Sequence, residues 1–137
     1  MTQSTAISLK TNDKFKRLDL SDFEKYSCHL DVQSGAFLYS GRFYFDNLRL
    51  FAKQCSALYK SLKGEAVLNC DYEDPYIRMK ITDVGHLVVE GLLVEYGDYS
   101  QELKFSFCTD QTSLEEFSRG IRKQSEAVNN QTKIGSS

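Results

Sequence analysis

The stretch Phe37–Cys70, FLYSGRFYFDNLRLFAKQCSALYKSLKGEAVLNC, changes its hydrophobic period twice and so decides the fold class. Phe37, Tyr39, Phe43 and Phe45 share one face at a period of two, which predicts a strand. The step then lengthens: Leu48, Phe51, Cys55, Leu58 and Leu62 lie three or four residues apart and form one apolar helical stripe. Asp46 or Asn47 can accept hydrogen bonds from the first free amides, and Lys60 and Lys63 suit the negative end of the helix dipole. Gly64 supplies a left-handed stop, after which Glu65–Cys70 reads as a strand again.

Strand patterns extend on both sides. Cys28–Val32 alternates apolar and polar residues, and Ser34-Gly35 suggests a hairpin between it and Phe37–Phe45. Ile7–Lys10 is a short alternating stretch, and the charged Asn12–Arg17 reads as a turn or loop. Downstream, Tyr76–Thr82, His86–Tyr96 and Glu102–Cys108 are separated by turn-forming residues and continue a meander. Ile77, Met79 and Ile81 oppose Tyr76, Arg78 and Lys80, while Leu103, Phe105 and Phe107 oppose Lys104 and Ser106. A last helix starts near Thr112, with Glu115 completing a capping box and Leu114, Phe117 and Ile121 forming the buried stripe.

Amphipathic helices and a half-apolar sheet must cover one another, because exposed apolar surface costs about 25 cal/mol per Å². The expected fold is α+β: an antiparallel sheet of about six strands with two helices packed on one face. Residues 1–124 form one domain, and residues 125–137 form a polar, disordered tail. The opposite sheet face, carrying Arg42, Tyr44, Tyr76, Arg78, Lys80 and Lys104, is left open to solvent or a partner.

At 137 residues and 41% hydrophobic content the chain can bury one real core but not two. A formal charge of −2 provides no long-range positive field, which argues against nucleic acid as a partner. The N-terminus has neither a basic region nor an apolar run, and no later segment approaches the length of a membrane span, so the expected compartment is the cytoplasm. Cys28, Cys55, Cys70 and Cys108 are far apart, form no CxxC pair, and read as reduced core thiols.

No nucleophile elbow, phosphate loop or dinucleotide turn is present, and no catalytic residue, cofactor or metal ligand is assigned. Cys28 and His29 are adjacent in a strand and point to opposite faces, so they cannot act as a pair. His86 follows Gly85 and reads as a turn residue with local hydrogen bonds. Asp71, Glu73 and Asp74 form an acidic cluster without the glycine and spacing of a calcium loop. Lys14, Lys16 and Arg17 read as a solvated loop, since only Phe15 offers a stacking surface nearby. Tyr72, Tyr76, Tyr96 and Tyr99 fall at loops or strand ends, where tyrosine either caps a sheet or anchors an interface.

Three segments carry a family likeness: Leu58–Ala66, Gly85–Gly91, and Leu103–Phe107 leading through Thr109-Asp110-Gln111-Thr112 to Leu114. With these the chain resembles bacterial WapI-type immunity proteins over about residues 28 to 122. The resemblance implies a cytosolic antitoxin that binds a toxin's C-terminal domain, often a nuclease, and needs no catalysis. A nuclease cleft is basic, so the expected contact is Asp71, Tyr72, Glu73 and Asp74, carboxylates flanking an aromatic anchor. Two other functions fit the same residues: a non-catalytic scaffold or subunit of a cytosolic assembly, and a small-molecule binder or weak enzyme using His86 near Asp110-Gln111.

Overall fold

The computed structural model describes residues 6–9, 11–70 and 75–135, with side chains described as far as residue 128. The described residues form eight strands and two helices. They are β1 (Ile7–Leu9), β2 (Lys16–Ser21), β3 (Ser27–Ser34), β4 (Phe37–Tyr44), α1 (Leu48–Ser61), β5 (Glu65–Asn69), β6 (Tyr76–Ile81), β7 (His86–Glu95), β8 (Gln101–Asp110) and α2 (Thr112–Gly135).

The class is α+β, but the single six-stranded sheet expected from sequence is two antiparallel four-stranded sheets, β1-β2-β3-β4 and β5-β6-β7-β8. Helix α1 lies in the chain between them, and the junction of β4 with α1 meets β5 through one backbone bond, Asp46 N–H to Asn69 O at 3.1 Å. The two strands beyond the expected six are β1, from the short alternating stretch at Ile7, and β2, which begins within what reads as a charged connection. Leu18 and Leu20 of β2 are buried and stand opposite Leu9 and Ile7 on one side and Val32 and Leu30 on the other. The turn itself is confined to residues around Asp13, whose Oδ1 accepts the Phe15 N–H at 2.8 Å.

The helices do not lie together on one face of one sheet. Helix α1 packs on α2 and β5, whereas α2 packs on β1 of the first sheet and β8 of the second. Inward residues of both sheets join Phe51 and Leu58 of α1 and Phe117 and Ile121 of α2 in one core, where the Phe51 and Phe117 rings meet edge to face at 6.4 Å. Gly120 lets α2 approach β1 closely, since a Cβ there would stand 3.0 Å from Ile7 Cγ2.

Helix ends differ from expectation in four places. Asn47 is the N-cap residue but makes no side-chain cap; its amide donates instead to Val67 O and Asn69 Oδ1, both at 2.9 Å, and its oxygen accepts the Asn69 N–H at 3.0 Å. The left-handed stop falls on Leu62, at φ 57°, so Leu62 leaves the buried stripe; Gly64 is also left-handed but lies beyond the cap. At α2 the first amide is taken by Asp110 Oδ1 at 3.0 Å, while Glu115 accepts from Arg119 at 3.0 Å rather than closing a capping box. Helix α2 continues beyond residue 124, where the sequence reads as a frayed tail, with Ser125 and Val128 buried.

Candidate partner interface

The acidic segment Asp71, Tyr72, Glu73 and Asp74 lies outside the described residues, but its C-terminal flank is placed. Pro75 lines a narrow cleft together with Tyr44 and Tyr96. Tyr44 ends β4 between buried Phe43 and Phe45, so strand alternation turns it outward, 56% exposed. Tyr96 and Tyr99 belong to the connection after β7 and are 63% and 89% exposed. Tyr39 lines the same cleft, its phenol pKa raised by burial and then by the nearby Glu95 carboxylate. Tyr44 was legible only as a sheet-face residue; the signal for its place at this edge is its position at the strand end. Tyr76 does not join the exposed group, because it is a strand residue with the Arg78 guanidinium 5.0 Å from its ring centre.

The open face expected to carry Arg42, Tyr44, Tyr76, Arg78, Lys80 and Lys104 is divided between the two sheets. Arg42 and Tyr44 are on β4, the others on β6 and β8. The Arg42 side chain is occupied: it pairs with Asp22 at 2.9 Å and Glu24 at 3.4 Å and donates to Ser27 Oγ at 3.1 Å. Arg78 and Lys80 both reach Glu90, at 3.1 and 3.6 Å. Two cations converging on one carboxylate leave this face less basic than its sequence reads.

The histidines occupy different environments. His29 faces outward with Nε2 3.3 Å from Asp31 Oδ2 and 3.2 Å from Ser40 Oγ. A nucleophilic triad needs its hydroxyl and carboxylate on different ring nitrogens, and here both meet the same one, so no proton relay is built. Cys28 points inward, and burial pushes its thiol up to about 12 despite the lowering effect of Arg42. His86 follows Gly85, at φ +87°, and its backbone closes a turn: its N–H donates to Thr82 Oγ1 at 3.1 Å and its carbonyl accepts the Thr82 N–H at 2.9 Å. Its side chain lines an open cleft of about 390 Å³ with Asp13, Lys16, Cys108 and Asp110. Among the described residues no group of three His, Cys, Asp or Glu side chains is placed to hold a metal, and no hydrogen bond links His86 to Cys108 or Asp110. The cleft brings reactive residue types to one place without coupling them.

Tyrosines at one edge and basic side chains held by their own carboxylates thus lie on a two-meander α+β frame. The sequence model of the immunity protein WapI-like family matches residues 9–129, and the chain belongs to that family. No curated protein and no solved structure matches the chain.

Proposed function

We propose that this chain is a bacterial immunity protein that neutralises a toxin domain in the cytoplasm by binding it directly, without catalysis. The family match over residues 9–129 carries this reading. The exposed tyrosines support it, because tyrosine buries a large area at an interface for little loss of side-chain freedom. The contact we propose is Asp71, Tyr72, Glu73 and Asp74, together with Tyr44 and Tyr96, which line the cleft at Pro75, the next residue in the chain.

Co-expression tests it. A cell producing a candidate cognate toxin domain should survive when the chain is also produced, and the two purified proteins should co-elute as one complex. Full toxicity in the presence of folded chain would sink the proposal.

The His86 cleft gives a second reading, as a small-molecule site, one observation in its favour. The two separate at one residue. His86→Ala should leave neutralisation intact if the chain works by protein contact, and loss of protection in a stably folded variant would move the function to the cleft.

A further inference from the structure

The chain has six arginines, of which Arg17, Arg42, Arg78 and Arg119 are ion-paired; the remaining two, Arg49 and Arg122, both line the groove between α1 and α2. Lys53 and Lys60 line it as well, and among the described residues none of these four cations has an ion pair. A single carboxylate, Glu126, stands against them. The protein compensates its arginines elsewhere on its surface and leaves them uncompensated in one groove of about 490 Å³. Such a groove attracts an anion.

We infer that this groove docks an acidic helical segment of a partner protein. Its floor is built from small side chains, with Ala52 and Ser125 buried and Ser56 half-buried. Small residues on both helices allow a third helix to come within the ordinary interaxial distance of about 8–10 Å. Arg49, Lys53, Ser56 and Lys60 fall at i, i+4, i+7 and i+11 on one face of α1, a row roughly 16 Å long. A helix carrying carboxylates at the same steps would meet each cation in turn. Nucleic acid fits less well, because the groove has no aromatic lining for stacking and the whole chain carries a formal charge of −2. Helix α2 continues past residue 124 and supplies Ser125 and Glu126 to the groove.

The inference rests on the proposed function in one respect, that the occupant is a protein. It adds a contact opposite in sign to the carboxylate and tyrosine edge.

The test is a titration of the full chain with a labelled helical peptide of about four turns, carrying Glu at the steps of the cationic row and Ala and Leu elsewhere. Binding should saturate, move the amide resonances of Arg49–Lys60 and Arg122–Glu126, and weaken with salt. Lys53→Glu with Arg122→Glu should lower affinity by about tenfold or more, equivalent to about 1.4 kcal/mol, whereas Lys53→Arg with Arg122→Lys should retain it. Absence of saturation, or equal binding by the charge-reversed chain, overturns the inference. Displacement of the peptide by a short DNA duplex at lower concentration than the peptide itself requires would overturn it in favour of nucleic acid. Running the survival assay on the same variants separates the two proposals. A chain that holds the peptide but protects no cell keeps the groove and loses the immunity reading; one that protects cells and ignores the peptide does the reverse.

Discussion

The Phe105 ring covers Gly91, its partner across β7 and β8: a Cβ at Gly91 would stand 2.7 Å from Phe105 Cε1 and 2.6 Å from the Tyr76 carbonyl oxygen. Both residues belong to the segments that resemble immunity proteins, Gly85–Gly91 and Leu103–Phe107, so at this point the resemblance reflects a packing requirement. The ring can shift and the backbone oxygen cannot. Gly91→Ala should therefore destabilise the protein by about 1–3 kcal/mol, the usual cost of overpacking. Urea melts give the value, and Phe105→Leu in the same chain should not recover it, because the contact with the Tyr76 carbonyl oxygen remains. A Gly91→Ala protein as stable as wild type would mean that the sheet opens freely here.

Asn47 clips the start of α1 to β5 with three side-chain hydrogen bonds, and Gln54 further along the helix adds a fourth by accepting the Val67 N–H at 2.9 Å. Asn47→Ala leaves the half-buried Asn69 N–H and Val67 carbonyl without these partners. A loss of about 1–3 kcal/mol is expected on that ground. Asn47→Asp should also destabilise, because it keeps the acceptor for Asn69 N–H but loses both donor bonds. Equal stability of wild type and Asn47→Ala in denaturant would show that water replaces the clip.

How far the sequence reveals this fold depends on whether the information is local. The stripe Leu48, Phe51, Cys55 and Leu58 is local, and all four residues are buried as it predicts. The alternation of Ile77 and Met79 is equally local and equally clear. Strand β2 is hidden because only Leu18 and Leu20 are inward, while Lys16, Arg17 and Asp19 dominate its composition; Arg17 and Asp19 pair at 3.0 Å on the outer side. Division into two sheets depends on which strands fail to pair, and no residue pattern records that. Asn47 has the right side chain for a helix cap, yet the approach of β5, set by tertiary packing, gives its amide other partners. The unpaired arginines are likewise invisible from sequence. Arg49 and Arg122 differ from Arg42 and Arg78 only in what the fold brings beside them.

The two buried cysteines provide a pH test. Burial raises the Cys28 thiol to about 12 and the Cys55 thiol further still, against an ordinary value of 9.0. Above pH 9 the unfolded chain releases protons that the folded chain retains, so the stability tied to these thiols is whole below pH 9 and is lost as pH rises toward about 12. Midpoints of denaturation should fall across that window, and the fall should be shallower in Cys55→Ala, whose lower stability at neutral pH reflects lost packing and not titration. At neutral pH a thiol reagent should label exposed Cys108 first and half-buried Cys70 next, with Cys28 and Cys55 reacting only on unfolding. Early labelling of Cys28 would contradict its place in the core.

The proposed edge contact makes a kinetic prediction, because charge and aromatic burial act on different steps of binding. Carboxylates at a rim steer encounter with a basic cleft, so Asp71→Lys with Glu73→Lys should slow toxin association and weaken its salt dependence. Rate changes of this kind stay within about one to three decades among variants of one interface. A buried aromatic anchor acts mainly after encounter. Tyr72→Ala should speed dissociation, and Tyr96→Ala should do the same if the cleft at Pro75 is part of the contact; a full anchor is worth about 2 kcal/mol or more. Tyr26, 56% exposed, supplies a surface control, since Tyr26→Ala should alter neither rate. Association and dissociation rates measured on an identified toxin domain at several salt concentrations decide the matter. Unchanged rates in all three variants of the edge would remove it from the interface and leave the groove between α1 and α2 as the surface to pursue.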